Sequence, residues 1–333
     1  MNPAHCDVDA RQDRVRPAQP PRRKPAALTA LLGLLLAACG GGGSDAQPTA
    51  APEPTLATPV APPATAPTPA PVTTPTPAPT PEPAPVSAVP AGYTLVWADE
   101  FEVAGLPAAS RWAYDTERNR VGWYNNELQY YASGRSENAV VRDGRLVITA
   151  RLERLSSAPD WGGQRYTSAR LITRGKASWT YGHFEVRAKL PCGRGTWPAI
   201  WTLGTGGVWP NDGEIDIMEQ VGSNPSRVFG TVHTLAGSGG NSVGGETQVP
   251  GACTAFHDYQ MTWTPGDIRF AVDGIEYFRY RNTGGGRSSW PFDAPQYLLL
   301  NIAIGGVLGG AVDDAIFPVS MEIEHVRVYQ ATN

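Results

Sequence analysis

Residues 181–190 read Tyr-Gly-His-Phe184-Glu-Val186-Arg-Ala188-Lys-Leu190, with apolar and polar residues in strict alternation. A period of two belongs to a half-buried strand, with the apolar side turned inward and the charged side outward. His257–Trp263 alternates in the same way, and Arg145–Leu152 is rich in β-branched residues. Further strands are predicted at 95–97, Gln296–Ile304 and 321–329. Residues 268–272 and 275–280 flank Asp273-Gly274, a dipeptide suited to a two-residue hairpin turn. No stretch carries a long amphipathic helical pattern. Many short strands punctuated by Gly and Pro predict an all-β fold, an antiparallel β-sandwich.

One strand departs from this alternation. Residues 212–222 read Asp-Gly-Glu214-Ile-Asp216-Ile-Met-Glu219-Gln-Val-Gly. Glu214 and Asp216 share one face of a strand, and Ile215 and Ile217 share the other. Glu219 lies five residues from Glu214, so a regular strand would drive it into the core beside the isoleucines. A lone buried carboxylate there is costly. One extra residue, a β-bulge around Ile217-Met218, returns Glu219 to the carboxylate face. Three acids that close repel, so at least one holds its proton near neutral pH. A charged carboxylate beside a protonated one is what cleavage of a glycosidic bond requires. A solvated acidic edge or a cation site would show the same spacing. The surrounding Trp197, Trp201 and Trp209 favour a carbohydrate cleft, where ring faces stack on sugars.

The resemblance to a known family is wider than the acids. Glu214-Ile-Asp-Ile-Met-Glu219, the 125–131 block Asn-Asn-Glu-Leu-Gln-Tyr-Tyr, the 166–171 block Tyr-Thr-Ser-Ala-Arg-Leu, the 195–203 block Gly-Thr-Trp-Pro-Ala-Ile-Trp-Thr-Leu and the 298–306 block Leu-Leu-Leu-Asn-Ile-Ala-Ile-Gly-Gly resemble blocks of glycoside hydrolase family 16, in family order. The bulged spacing is similar to its laminarinase-like, endo-β-1,3-glucanase branch. The resemblance implies a jelly roll with a substrate cleft across its concave face. It implies Glu214 as nucleophile, Glu219 as acid/base and Asp216 as the helper between them, in a retaining reaction on β-1,3-linked glucan. Other activities within the family (mixed-linkage glucan, agar or carrageenan cleavage, transglycosylation) and a non-catalytic glucan-binding module are the alternatives.

The resemblance also places Asn126, Glu127 and Arg170 along the cleft. Trp197, and then Trp201 and Trp209, are expected to shape sugar subsites, with Trp197 facing the ligand. His233, on the strand predicted after the acid strand, is a candidate partner of Asp216 or of substrate. Gln296 and Asn301 are candidates on a strand crossing the same sheet. No cofactor is expected for the chemistry. Family members often carry a structural calcium on the convex side, and Glu102, the Gly144 carbonyl and Glu324 fall at comparable positions. Glu324-His325 stands where the family usually has Asp-Tyr, and Leu308 stands where tryptophan is common.

The chain has 333 residues and a net charge of −4, without the basic balance of a nucleic-acid binder. Arg22-Arg-Lys24 precedes a leucine-rich apolar run too short to span a bilayer, which reads as a signal peptide over 1–39. Its end, Leu36-Ala-Ala-Cys39-Gly, resembles a bacterial lipobox in which Cys39 is lipidated. Residues 40–91 are Gly-rich, then Pro/Thr/Ala-rich, a composition that cannot bury a core and reads as an extended tether to a domain at 92–333. The expectation is an exported monomer that meets the membrane, an outer membrane in this reading, only through its lipid, on the periplasmic or cell-surface side. Of four cysteines, Cys6 and Cys39 fall in the leader. The remaining pair, Cys192 and Cys253, is expected to form a disulfide in an exported protein.

Overall fold

A computed structural model describes residues 90–332. The leader, the Cys39 lipidation site and nearly all of the proposed tether lie outside the described residues. Among those described, strands build two sheets, and the helical segments are single turns such as Gly306–Gly309. No described helix is long and apolar enough to cross a membrane.

The larger sheet has ten strands, and its centre runs His257–Trp263, Gly182–Lys189, Val319–Ala331, Arg145–Leu152. The smaller has seven, in the order Val243–Gln248, Arg227–His233, Glu214–Gln220, Thr196–Gly204, Gln296–Ile304, Arg170–Ile172, Ala113–Tyr114. Pairing is antiparallel except between Gln129–Tyr131 and Tyr166–Ser168, which run parallel. The hairpin forms as expected: Val272 pairs with Ile275, and Asp273 and Gly274 both take positive φ, 50° and 78°.

One main core lies between the sheets. Phe184, Val186 and Ala188 enter it from the larger sheet, and Ile200, Ile215, Ile217, Leu298, Leu300 and Ile302 from the smaller. Burying an aliphatic side chain of this size contributes roughly 1.5–3 kcal/mol. Strand alternation then turns the odd-numbered residues of Gln296–Ile304 and Thr196–Gly204 to the opposite, open face of the smaller sheet. Tyr297 and Leu299 pack there with Ile172, Trp201 and Leu203 in a separate cluster.

Cys192 and Cys253 are joined in a disulfide. It ties the turn before the Trp197 strand to the loop before His257. Gln220, the last residue of the acid strand, is fully buried and donates from Nε2 to the Pro225 carbonyl.

Candidate active site

The acid strand carries the bulge that its spacing demands. Against Arg227–His233 its register runs Asp216↔Thr231 and then Glu219↔Phe229, three residues opposite two. Against Thr196–Gly204 the shift falls between Asp216 and Met218. Ile215, Ile217 and Met218 are all buried in the core, so the extra residue is spent there. Glu214, Asp216 and Glu219 consequently share the open face.

Each acid meets a neighbour suited to a different role. Trp209 Nε1 donates to Glu214 Oε2 at 2.5 Å. Trp197 Nε1 donates to Glu219 Oε1 at 2.7 Å. His233 Nε2 lies 3.1 Å from Asp216 Oδ2. The Gly239 N–H donates to His233 Nδ1, which leaves the neutral ring's proton on Nε2, facing Asp216. Hydrogen bonding between Glu214 and Asp216 raises the Glu214 carboxyl and works against the rise at Asp216.

All three carboxyls are held above their ordinary range. For Glu214 and Asp216 burial is the main cause, and repulsion from the neighbouring acid adds to it. Burial also dominates at Glu219, which is pushed up to about 7; the Trp197 hydrogen bond works against it, and the charges of Glu214 and Glu127 add to it. Glu219 thus keeps its proton on the acid side of about pH 7.

The flanking strands supply a second layer. Arg170 is buried, with its guanidinium 4.6 Å from the Trp201 ring centre and 5.1 Å from that of Trp123. Its Nε lies 3.1 Å from Asp115 Oδ2. Trp201 Nε1 donates to Asn301 Oδ1 at 2.8 Å. Glu127 accepts from Gln129 Nε2 at 2.8 Å, and burial raises its carboxyl. Asn126 is exposed in a turn with φ 59°. Asp115 and Trp123 went unnoticed in the sequence, although Trp123 lies two residues before the Asn-Asn block.

Three expectations change. Trp197 does not present its ring to solvent: it is 7% exposed and acts as donor to Glu219, whereas Trp209, ranked below it, is 53% exposed beside Glu214. Gln296 does not reach the open face. It has the parity of Leu298 and Leu300, is fully buried, accepts from Thr202 Oγ1 at 2.7 Å and donates to the Asp212 carbonyl at 3.3 Å. The calcium set does not fit either. Both Glu324 oxygens face guanidinium groups, Oε2 that of Arg187 at 2.8 Å and Oε1 that of Arg145 at 3.7 Å. Neither Glu324 oxygen is left for a cation to take.

With this geometry in hand, comparison with known proteins decides the family. The model of glycosyl hydrolases family 16 matches residues 126–321. The chain belongs to glycoside hydrolase family 16. A β-glucanase from Rhodothermus marinus is 50% identical over 252 residues, spanning 72% of this chain and 85% of that protein. The crystal structure of a non-specific endo-β-1,3(4)-glucanase of family 16 superposes with TM-score 0.72 at 52% identity, covering 74% of this chain and 94% of the other. A keratan-sulfate endo-1,4-β-galactosidase from Sphingobacterium multivorum is 40% identical over 248 residues, 72% of this chain but 55% of that longer protein. The family 16 sandwich and its glycoside hydrolase chemistry therefore apply to this chain, and that chemistry needs no cofactor.

Proposed function

We propose that the protein is an endo-acting, retaining β-glucan hydrolase that cuts β-1,3-glucosidic bonds of laminarin-type polysaccharides. The observation that supports this most is the bulge, which brings Glu214 and Glu219 to one face with a different indole N–H on each. In the first step a Glu214 oxygen attacks the anomeric carbon while Glu219 gives its proton to the departing glycosidic oxygen. The bond to the leaving sugar breaks, and a glycosyl ester on Glu214 forms. In the second step Glu219, now a carboxylate, takes a proton from water, which attacks the same carbon and frees Glu214. To attack, Glu214 gives up its proton, which Asp216 beside it accepts, and the Trp209 N–H favours the charged form of Glu214. Two inversions leave the anomeric configuration unchanged.

The β-glucanase relatives support glucan as the substrate. The galactosidase relative supports a second reading, a β-galactan. The test is a product profile on laminarin, lichenan, agarose, carrageenan and keratan sulfate, with Glu214→Ala as control. Oligosaccharides of the β anomer released chiefly from laminarin support the proposal. Near-wild-type hydrolysis by both Glu214→Ala and Glu219→Ala refutes the mechanism, and preference for keratan sulfate or agarose moves the substrate to galactan.

Trp209, Trp201, Arg170, Asn126, Glu127, Asn301 and His233 are the residues we propose to meet or orient the sugar. We also propose that residues 92–333 form the catalytic domain, exported as a monomer and tethered through residues 40–91 to a lipid on Cys39. Membrane fractionation of wild type and Cys39→Ala tests this: the variant should move to the soluble fraction, and an unchanged distribution removes the anchor.

A further inference from the structure

The charged face of the larger sheet contains a buried cluster that the glycosidase chemistry does not use. Phe184, Val186 and Ala188 point into the core, so Glu185 and Arg187 point away from it. Cross-strand register sets Gln260, Glu185 and Arg327 in one row, and Asp258, Arg187 and His325 in the next. A second bulge places the histidine: Ile323 pairs with Ala188 and His325 with Arg187, so two residues oppose one and Glu324 is the extra residue. Without it His325 would have the core-facing parity of Ile323. Despite facing outward, Glu185, Asp258 and His325 are 2%, 3% and 8% exposed.

Each of the three offers one ligand atom, and these atoms lie within 4.8 Å of one another. His325 Nε2 is 3.0 Å from Glu185 Oε1. Asp258 Oδ1 is buried and has no hydrogen-bond partner among the described residues. The carboxylates of Glu100, Glu185, Asp258 and Glu324 meet the guanidinium groups of Arg187 and Arg327, and Glu324 also meets that of Arg145. Both arginines spend their shortest contacts on the outer acids: Arg187 on Glu324 at 2.8 Å, and Arg327 on Glu100 at 2.8 and 2.9 Å. Their approaches to the inner pair are longer, 3.4 Å to Asp258 and 3.6 Å to Glu185. Glu185 also accepts from Gln260 Nε2 at 3.1 Å, whereas the nearest guanidinium to Asp258 is 3.4 Å from Oδ2, and Oδ1 is left to a further ligand.

We propose that Glu185, Asp258 and His325 form a closed site for a divalent transition-metal ion, with Zn²⁺ as the best match. One imidazole nitrogen and two carboxylate oxygens suit Zn²⁺, whereas Ca²⁺ prefers oxygen ligands throughout. Binding through Nε2 moves the ring proton to Nδ1 or releases it. The ion takes up the Asp258 oxygen that has no hydrogen-bond partner. Its role is structural, since it lies on the far side of the larger sheet from the acid strand.

The test uses full-length protein stripped with EDTA, titrated calorimetrically with ZnCl₂, and melted with and without Zn²⁺ and Ca²⁺. We expect one equivalent of Zn²⁺ to bind. At a hundredfold excess over Kd, Tm should rise by about 5–10 °C, and Ca²⁺ should give no comparable rise. His325→Gln and Asp258→Asn should each remove the response, while His233→Gln, on the opposite face, should keep it. Absence of binding by the wild type overturns the proposal. A response that survives both cluster variants, or is lost in His233→Gln, overturns it by placing the ion elsewhere.

Discussion

The acid strand and the His325 strand use the same device on opposite faces of the molecule. Each inserts one residue into a ladder, and each insertion turns an ionisable side chain out of the core. What differs is the company. Arg187 and Arg327 border the buried acids of the larger sheet, whereas a histidine and two indole N–H groups face Glu214, Asp216 and Glu219. On the outer face the Arg327 guanidinium holds the Glu100 carboxyl below its ordinary range. On the catalytic face weaker donors leave the acids high, and a proton stays available for transfer. Fold stability is best served by the first arrangement and proton transfer by the second.

The sharpest way to break the comparison is to remove one charged group from each face. Glu219→Gln should lower kcat on laminarin by about 10²–10⁴-fold, the usual contribution of a general acid. Glu214→Ala should cost at least as much, because the covalent step is lost. Both variants should stay folded. On the other face the critical deletion is the cation. Arg187→Met strands the buried Asp258 and leaves Glu324 with Arg145 alone, and should destabilise the fold by about 3–5 kcal/mol in urea unfolding, with kcat at low temperature nearly unchanged.

A pH titration sharpens the contrast. Glu219 must be protonated to act as acid, so kcat/KM should fall as pH rises through about 7. Trp197→Phe removes the donor that stabilises the charged form, so this limb should move to higher pH. Stability follows the same proton. The Glu219 carboxyl titrates near 7 in the fold against 4.5 as its ordinary value, so between those values the folded state holds the extra proton. Stability therefore falls as pH rises across that window. At pH 8 Glu219→Gln should be more stable than wild type, by at most about 3 kcal/mol. An unchanged or lower Tm for that variant at pH 8 would contradict the idea that this site stores strain in its acids.

The two bulges also show what a sequence reveals. The first was legible because three acids and two isoleucines cannot be reconciled with a regular strand. The second was not, because 321–329 contains no such conflict until Ile323 and Val326 are known to share the core. Alternation assigned Glu185 and Asp258 to solvent. Their burial arises from long side chains on neighbouring strands, and the cross-strand register that brings Gln260 and Arg327 beside Glu185 is not written locally. Glu324 looked like a ligand for the same reason, since its arginine partners lie on other strands. Gln296 could have been read correctly: counting back by two from Leu300 and Leu298 puts it in the interior. The order of the tryptophans could not, because whether an indole shows its ring or only its N–H depends on side-chain orientation.

The smallest expected effect concerns how the catalytic bulge is accommodated. Ile217 and Met218 both enter the core where a regular strand would send one side chain. Opposite them, between the partners of Asp216 and Glu219, stands Gly230. Its missing side chain is not spare room. A Cβ there would come within 2.6 Å of Phe270 and 2.7 Å of the Tyr277 hydroxyl, so those rings already fill the space. Gly230→Ala should therefore cost about 1–3 kcal/mol by overpacking. Because the pressure falls directly behind the bulge, part of it should appear as a lower kcat with little change in KM. The Gly245→Ala variant gives the comparison: its Cβ would press on Phe278, at 2.7 Å, rather than on the pair behind the bulge. Equal loss of stability in both variants, with loss of kcat only in Gly230→Ala, would show that the bulge is held from behind. Equal kcat in the two would mean that Glu219 is positioned from the open face alone, by Trp197.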